Sequence, residues 1–215
     1  WPANGEGTEV VPAFAYVYNP LARPLCVEIQ HSVNPDAYQL ILTARAFAGG
    51  CIPSTNLGLF SIYHRFGKDD LLPTPDKLDP AQRELLAAVT QARCGPLLRF
   101  INGGEMVACD PPDLPAGIWR YQVWEKDRMV EKELLHPTVL AQAWRLGRET
   151  AFAFVNIGEQ TAEFAYSWRI GGRIASAPYR IALWIGGRRV REMTASDTAV
   201  LQVPGHSVVT AVLSR

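Results

Sequence analysis

The spacing of the apolar residues changes once along the chain, and this change constrains the fold more than any other feature. In the first part, segment 80–93 repeats its apolar residues at helical spacing. Beyond Gly117, as in 119–123, apolar residues alternate with polar ones. A helix buries one face with a period of 3.6 residues, whereas a half-buried strand alternates with a period of two. The sequence therefore predicts two parts, with a boundary near residues 110–117.

Short strands at regular spacing fill the second part. Gly186-Gly187 lies between two of them and suits the two-residue turn of a β-hairpin. Seven or eight strands in about 98 residues, with turns between them, predict an antiparallel β-sandwich over residues 113–215. Beyond 119–123, the strands are predicted at 140–146, 150–155, 163–170, 180–185, 190–193, 200–203 and 207–213.

Helices are predicted in the first part. One begins at Asn34-Pro35-Asp36 and ends at Gly49-Gly50, and a shorter one is predicted within 56–66. The clearest covers 80–93, where Asp79 is a favourable N-cap residue at the start of a pattern typical of a capping box.

The strand candidates of the first part are apolar throughout. Segment 10–18 reads VVPAFAYVY, and such strands are typical of a parallel sheet covered on both faces. Three strands cannot close a barrel, and an exposed apolar edge promotes association. Residues 1–112 are therefore expected to be part of a larger α/β unit whose remainder lies upstream, on another chain, or was removed. The alternative is a small self-contained α+β layer that rests on the sandwich.

Several motifs follow one another in a recognisable order. They are a strand (PAFAYVYNP), a helix ending in Gly-Gly, a strand-like CIPSTN, the capped helix DPAQRELLAAVTQAR, then LLRFINGGEM and DPP. The second part adds FAFVNIGEQTAEFAYSW, with Val155-Asn156 leading into a turn, and VPGHSVVTAVL near its end. Together they resemble the last βα units and the C-terminal β-domain of glycoside-hydrolase-type (β/α)8-barrel proteins. The resemblance is closest to poorly characterised relatives of α-galactosidase-like hydrolases.

This resemblance implies a two-part α+β chain, with terminal βα units of a barrel over 1–112 and a β-sandwich over 113–215. It implies a carbohydrate-active protein whose sandwich stabilises the barrel and is itself non-catalytic. The catalytic carboxylates of such barrels lie at strand ends that would precede residue 1, so no catalytic residue is expected in this chain. Gly205 departs from the family, in which the final strand commonly reads Val-Pro-Pro-x-Ser-Val.

Four residues are candidates for contact with a sugar substrate. Tyr18 and Asn19 close the first strand, where related barrels place sugar-facing residues, and Asn19 can bond a hydroxyl without acting as acid or base. A strand cap and turn is the alternative for this pair. Glu28 lies in a segment expected to be a loop, where a solvated charge is the alternative. Glu105 follows Gly103-Gly104 near a turn, from which it is expected to point into a groove.

The composition excludes several other functions. The chain has 21 Lys and Arg against 21 Asp and Glu, without the basic surplus that nucleic-acid binding requires. No apolar run approaches the roughly 18 residues that a membrane span needs. Nucleotide-binding glycine motifs are absent, and the histidines and cysteines are scattered singly, so no cofactor and no metal is predicted. The expected partners are the missing barrel portion or an oligomer partner, with oligosaccharide as a further ligand.

Two other functions stay open, and neither requires catalysis. Exposed tryptophan rings in the second part would stack on sugars, as in glycan-binding modules, although burial in the core is the alternative. An assembly domain whose unfinished sheet pairs with a partner is the other possibility. The tryptophans of the second part are Trp119, Trp124, Trp144, Trp168 and Trp184.

Overall fold

A central antiparallel sheet of six strands organises the chain in the computed structural model. Some predictions fall on residues that the structure does not describe: the strand over 10–18, which carries Tyr18 and Asn19, and the helix within 56–66. The structure describes residues 27–30, 36–51, 53–56, 79–125, 128–170, 173–174, 179–195 and 198–214.

The described helices lie in the first part of the chain. They are α1 (Asp36–Ala48), α2 (Pro80–Cys94) and α3 (Leu98–Gly103). The sequence predicts α1 and α2, and both are confirmed. Asp79 caps α2, because its Oδ2 accepts the backbone N–H of Gln82 at 3.2 Å. The Gln82 side chain does not return to the cap as in a capping box; its Nε2 donates to Thr43 Oγ1 at 2.8 Å and so joins α2 to α1.

A short parallel pair of strands lies beside α1. β1 (Val27–Gln30) and β2 (Pro53–Asn56) pair in parallel, and α1 connects them as in a βαβ unit. The strand predicted at CIPSTN is confirmed by β2. The prediction that Glu28 lies in a loop is wrong, since it lies in β1, where the β-branched Val27 and Ile29 flank it.

The other described strands pair in antiparallel fashion. They are β3 (Glu105–Val107), β4 (Ala116–Glu125), β5 (Arg128–Pro137), β6 (Val139–Leu146), β7 (Glu149–Asn156), β8 (Ala162–Ser167), β9 (Arg169–Ile170), β10 (Arg173–Ile174), β11 (Tyr179–Ile185), β12 (Arg188–Ala195), β13 (Thr198–Val203) and β14 (Ser207–Ser214).

The central sheet has the strand order β12-β11-β14-β7-β6-β3, so β14 and β7 lie in its middle. β8 pairs with β13, β4 with β5, and β9 with β10. The strands predicted in the second part are all present. The predicted hairpin of β11 and β12 turns at Gly186 and Gly187, whose φ angles are +55° and +72°. Positive φ at both turn positions is typical of a type I′ turn, which glycine adopts without strain.

β5 is a strand that the sequence did not indicate. Its sequence RMVEKELLHP contains three consecutive charged residues, and Glu and Lys are depleted from strands. Pairing with β4 overrides this local preference along the whole length of both strands. Arg120 Nε donates to Glu133 Oε1 at 2.8 Å across the pair.

Hydrophobic cores lie on both faces of the central sheet. On one face the helices pack, and Phe47 of α1 meets Trp144 of β6 edge-on with 6.4 Å between ring centres. On the other face β8 and β13 pack over Phe152 and Phe154 of β7. The chain is therefore α+β and mostly antiparallel, as predicted, while its division at residues 112 and 113 stays a prediction. Within the described ranges no helix has the length and apolarity of a membrane span.

A buried asparagine joins two turns at one end of the sheet. Asn156, the last residue of β7, donates from Nδ2 to Gln160 O at 2.8 Å and to Val203 O at 2.9 Å. Its Oδ1 accepts the backbone N–H of Gly158 at 2.9 Å. These bonds hold the β7–β8 turn against the end of β13. In the motif at Val155-Asn156, the asparagine therefore has a structural role.

Gly205 is in close contact with the same turn. It lies before β14, and a Cβ atom at this position would collide with the carbonyl group of Glu159. The adjacent His206 N–H donates to Gly158 O at 3.0 Å, which fixes the two segments together. Proline also carries a Cβ atom, so a proline would not fit at position 205 in this structure.

We expect Gly205→Ala to lower the free energy of unfolding by about 2 kcal/mol or more, because the added Cβ forces the turn at Glu159 away. For a chain of this size, the melting temperature should fall by about 4–8 °C, as measured by differential scanning calorimetry. Gly147→Ala is the matched control. Gly147 has a φ of +60°, but no described atom lies within 4 Å of an added Cβ, so the cost should stay near about 1 kcal/mol. Equal losses in the two variants would contradict the steric explanation.

Candidate functional site

The cleft beside Glu105 is the site that the sequence analysis indicates. α3 ends at Gly103, the chain turns at Gly104, and β3 begins at Glu105. A cleft of about 490 Å³ opens between this turn and the β6–β7 turn. Its lining is formed by Asn102, Gly103, Gly104, Glu105, Arg145, Leu146 and Gly147.

Gly104 allows the α3–β3 turn to lie against β6. A Cβ atom there would lie 2.6 Å from Phe100 O and 2.7 Å from Arg145 O, closer than any side chain permits. The Gly104 N–H donates to Phe100 O at 2.8 Å and closes the end of α3. The glycine thus brings Glu105 directly onto the edge of the central sheet.

The charges in this cleft are paired. Glu105 and Arg145 lie opposite each other in the β3–β6 register and form an ion pair. Their side chains are 48% and 50% exposed, so solvent screens the pair and its contribution to stability is small. Carboxylate oxygens, guanidinium N–H groups and the Asn102 amide line the cleft together. These groups can hydrogen-bond the hydroxyls of a polar ligand.

The described residues of the cleft do not include the pair of carboxyl groups that glycoside cleavage requires. A glycosidase uses two carboxyl groups, one protonated and one ionised, on either side of the scissile bond. Among the described residues that line the cleft, Glu105 is the single carboxylate, and Arg145 is bonded to it.

The structure does not bring the other candidates to Glu105. Glu28 lies in β1, which pairs with β2 in a separate two-stranded sheet, whereas Glu105 joins the central sheet through β6. Tyr18 and Asn19 lie outside the described residues. The role of all four residues in sugar binding stays a prediction.

A buried polar cluster between α1 and the β4–β5 hairpin was missed by the sequence analysis. Arg45 Nε donates to His136 Nε2 at 3.1 Å, so the proton of the imidazole lies on Nδ1, which donates to Pro137 O at 2.8 Å. Tyr38 and Tyr121 stack near Arg45, with 4.9 Å between their ring centres. α1 is therefore attached to the hairpin by polar as well as apolar contacts.

The surroundings keep His136 neutral. Burial, and then the neighbouring Arg45 cation, lower the pKa of His136 from 6.5 to about 4. Both ring nitrogens are engaged, which identifies a structural histidine rather than a general base. The sequence carries one signal for this position, since Leu134 and His136 share the buried side of a strand. That signal was lost because β5 was not predicted.

The thiol of Cys109 is half-buried. Burial raises the pKa of Cys109 to about 12, so the thiolate form is scarce near neutral pH. Cys51 is buried, whereas Cys94 at the end of α2 is exposed. In the part of the chain that the structure describes, no three His, Cys, Asp or Glu side chains cluster as a metal site would require.

No family model matches the sequence, and no curated protein matches it. The solved structures that resemble the chain are glycoside hydrolases at low sequence identity. A family 30 endoxylanase from Clostridium papyrosolvens C71 is 9% identical over 89% of this chain and 42% of its own, with a TM-score of 0.43. An α-amylase from Anoxybacillus is 10% identical over 89% and 38%, with a TM-score of 0.44.

A family 27 β-L-arabinopyranosidase from Geobacillus stearothermophilus is also similar. It is 12% identical over 84% of this chain and 30% of its own, with a TM-score of 0.36. The chain spans less than half the length of each of these three proteins.

His136 should make the stability of the protein depend on pH. Between pH 6.5 and about 4 the unfolded state binds a proton that the folded state excludes, so the free energy of unfolding falls as the pH is lowered. Over this window His136 lowers the free energy of unfolding by about 3 kcal/mol. Above pH 7 it causes no such decrease. Urea unfolding at pH 7.5 and pH 4.5 measures the effect. His136→Gln should lose about 2–3 kcal/mol less than the wild type between these two pH values, and identical losses would show that His136 is not responsible.

Proposed function

We propose that this chain is the carboxyl-terminal portion of a carbohydrate-active, glycoside-hydrolase-like protein related to α-galactosidase-like enzymes. In this proposal the β1–α1–β2 unit belongs to the end of a (β/α)8 barrel. The antiparallel strands form a β-sandwich that stabilises the barrel and does not catalyse. The observation that carries the proposal is the parallel pairing of β1 with β2 through α1, ahead of the antiparallel part of the chain.

A parallel pair of this size requires neighbours. Each strand has four residues, and two-stranded units are at best marginally stable in water. Parallel strands occur almost only in larger sheets whose two faces are covered by helices. A (β/α)8 barrel supplies such neighbours by closing eight parallel strands, each followed by a helix.

α1 connects this parallel pair to the antiparallel sheet. Ile41 and Phe47 are fully buried on the helix that links β1 to β2, and Phe47 contacts Trp144 in β6. The same helix is bonded to the β4–β5 hairpin through Arg45 and His136. Because one helix serves both parts, unfolding the antiparallel part exposes the apolar face of the βαβ unit. This arrangement favours a stabilising role for the antiparallel strands.

Glu105 of the cleft and Glu149 of β7 are each bonded to an arginine, which disfavours catalysis by this part. Glu105 is bonded to Arg145, and Glu149 Oε2 lies 2.6 Å from Arg99 Nη1. Each carboxylate is thus engaged by its guanidinium partner rather than presented alone to a substrate. The proposal therefore assigns the catalytic acids to strands of the barrel that would precede residue 1.

The assembly function considered for the sequence concerns the unfinished sheet of the first part, and the two described edges of the central sheet do not favour a second site for such pairing. β12 forms one edge of the central sheet and exposes Arg188, Arg189 and Arg191. β3 forms the other edge and has three residues. Charged and short edge strands are features that prevent pairing with a second sheet.

The isolated chain should not hydrolyse aryl glycosides. We expect no turnover above background with nitrophenyl α- and β-glycosides of galactose, glucose, xylose and arabinose, because the acid pair is supplied elsewhere.

The chain joined to the sequence encoded upstream should hydrolyse at least one of them. In that longer protein, Glu105→Gln and Glu149→Gln should leave kcat within about twofold, whereas loss of a barrel acid should abolish it. Turnover by the isolated chain that disappears in either glutamate variant would refute the non-catalytic role.

A further inference from the structure

A second groove lies on the helix-covered face of the central sheet, where α2 passes into α3. Its volume is about 740 Å³, within the range of roughly 300–1,000 Å³ that small-molecule sites occupy. Ala182, Trp184 and Val212 of the sheet line it, as do Arg99 and Asn102 of α3. Asn102 also lines the cleft of Glu105, so the two depressions adjoin.

Trp184 offers carbon surface to this groove. In β11, Ile181 and Leu183 belong to the core under β8 and β13, while Ala182 and Trp184 point to the opposite face. Trp184 is partly exposed, but its Nε1 is buried. The accessible part of the side chain is therefore aromatic carbon. Gly187 also lines the groove.

The charges around the groove are neutralised in pairs. Arg99 is bonded to Glu149 at 2.6 Å, and Arg189, which lines the groove, is bonded to Glu192. Paired arginines do not provide the free positive charge that an anionic ligand requires. Their remaining N–H groups and carboxylate oxygens, with the Asn102 amide, still donate and accept hydrogen bonds. The groove is thus polar, electrically balanced and equipped with an aromatic surface.

Two buried polar atoms beneath the groove lack a partner among the described residues. Trp184 of β11 and Thr210 of β14 are directly opposite in the sheet register. Trp184 Nε1 and Thr210 Oγ1 are both buried and form no hydrogen bond with the part of the chain that the structure describes. A buried donor or acceptor without a partner is destabilising, so a hydroxyl group or water that reaches these atoms is stabilised.

We propose that this groove binds a neutral oligosaccharide, with one sugar ring stacked on Trp184 and its hydroxyls bonded to Asn102 and the paired charges. A sugar ring presents an apolar face of C–H groups and an equatorial rim of hydroxyls, and it carries no net charge. These three properties match the aromatic surface, the polar rim and the balanced charge of the groove. The proposal does not depend on the function proposed above, since the site is complete within this chain.

Isothermal titration calorimetry of the full chain with xylohexaose, cellohexaose and a galacto-oligosaccharide tests the site. We expect saturable millimolar or tighter binding of at least one of them, accompanied by a change in tryptophan fluorescence. Trp184→Ala should weaken this binding about tenfold, because the stacking surface is removed. Trp184→Phe keeps an aromatic ring and should retain most of the affinity. An anionic oligogalacturonide of similar length should bind at least tenfold more weakly.

Two further variants keep the proposal testable if Trp184→Ala does not fold. Asn102→Ala changes an exposed residue and should weaken binding about threefold without lowering the melting temperature. Trp119→Phe is the matched control, because Trp119 lies in the β4–β5 hairpin outside the groove and should leave affinity unchanged. The proposal is overturned if none of the three neutral oligosaccharides binds. It is also overturned if Asn102→Ala binds as the wild type does, or if the oligogalacturonide is preferred.

Discussion

Burial of β7 on both faces is the constraint that determines the rest of the fold. From Thr150 to Asn156 every residue is buried, so neither face of the strand can be left to water. On one face Ala151, Ala153 and Val155 are small or slender, which lets the helices approach closely. On the other face Phe152 and Phe154 are large, and they fill the space under β8 and β13. An antiparallel sheet commonly exposes one face. Here the helices of the first part are required to cover the second face, so both parts of the chain contribute residues to the core on that face.

The ends of the strands are secured by polar contacts that apolar packing alone would not specify. Asn156 satisfies all of its buried polar atoms with three backbone groups, and it thereby fixes the β7–β8 turn relative to β13. A buried, fully bonded amide contributes specificity, because any shift of the turn leaves a donor or acceptor unsatisfied. The close approach of Gly205 to the same turn depends on this placement. The Asn156 side chain thus accounts for the presence of glycine at position 205, about fifty residues along the chain.

Local signals in the sequence were enough to predict individual helices and hairpins. The candidate site, in contrast, depends on the register between strands that are far apart in the sequence. The N-cap at Asp79 and the paired glycines at 186–187 act within a few residues, so α2 and the β11–β12 hairpin could be predicted. β5 could not, because its charged residues are made acceptable only by pairing with β4. The pairing of Glu105 with Arg145 depends in the same way on the β3–β6 register across forty residues. The opposition of Trp184 and Thr210 likewise follows from strand pairing, which periodicity does not encode.

The sheet that stabilises the fold is also the floor of the groove that we propose as a ligand site. Trp184 and Val212 are held in place by backbone pairing with β14 and β11, so the stacking surface exists before a ligand arrives. A preformed surface avoids the entropic cost of ordering a loop on binding. α3 forms the other wall, and its position depends on Phe100, which is fully buried against the same face of the sheet. A ligand that bridges α3 and β11 therefore adds contacts to a packing that already stabilises the folded state. By linkage, it raises the free energy of unfolding in proportion to the logarithm of its concentration relative to Kd.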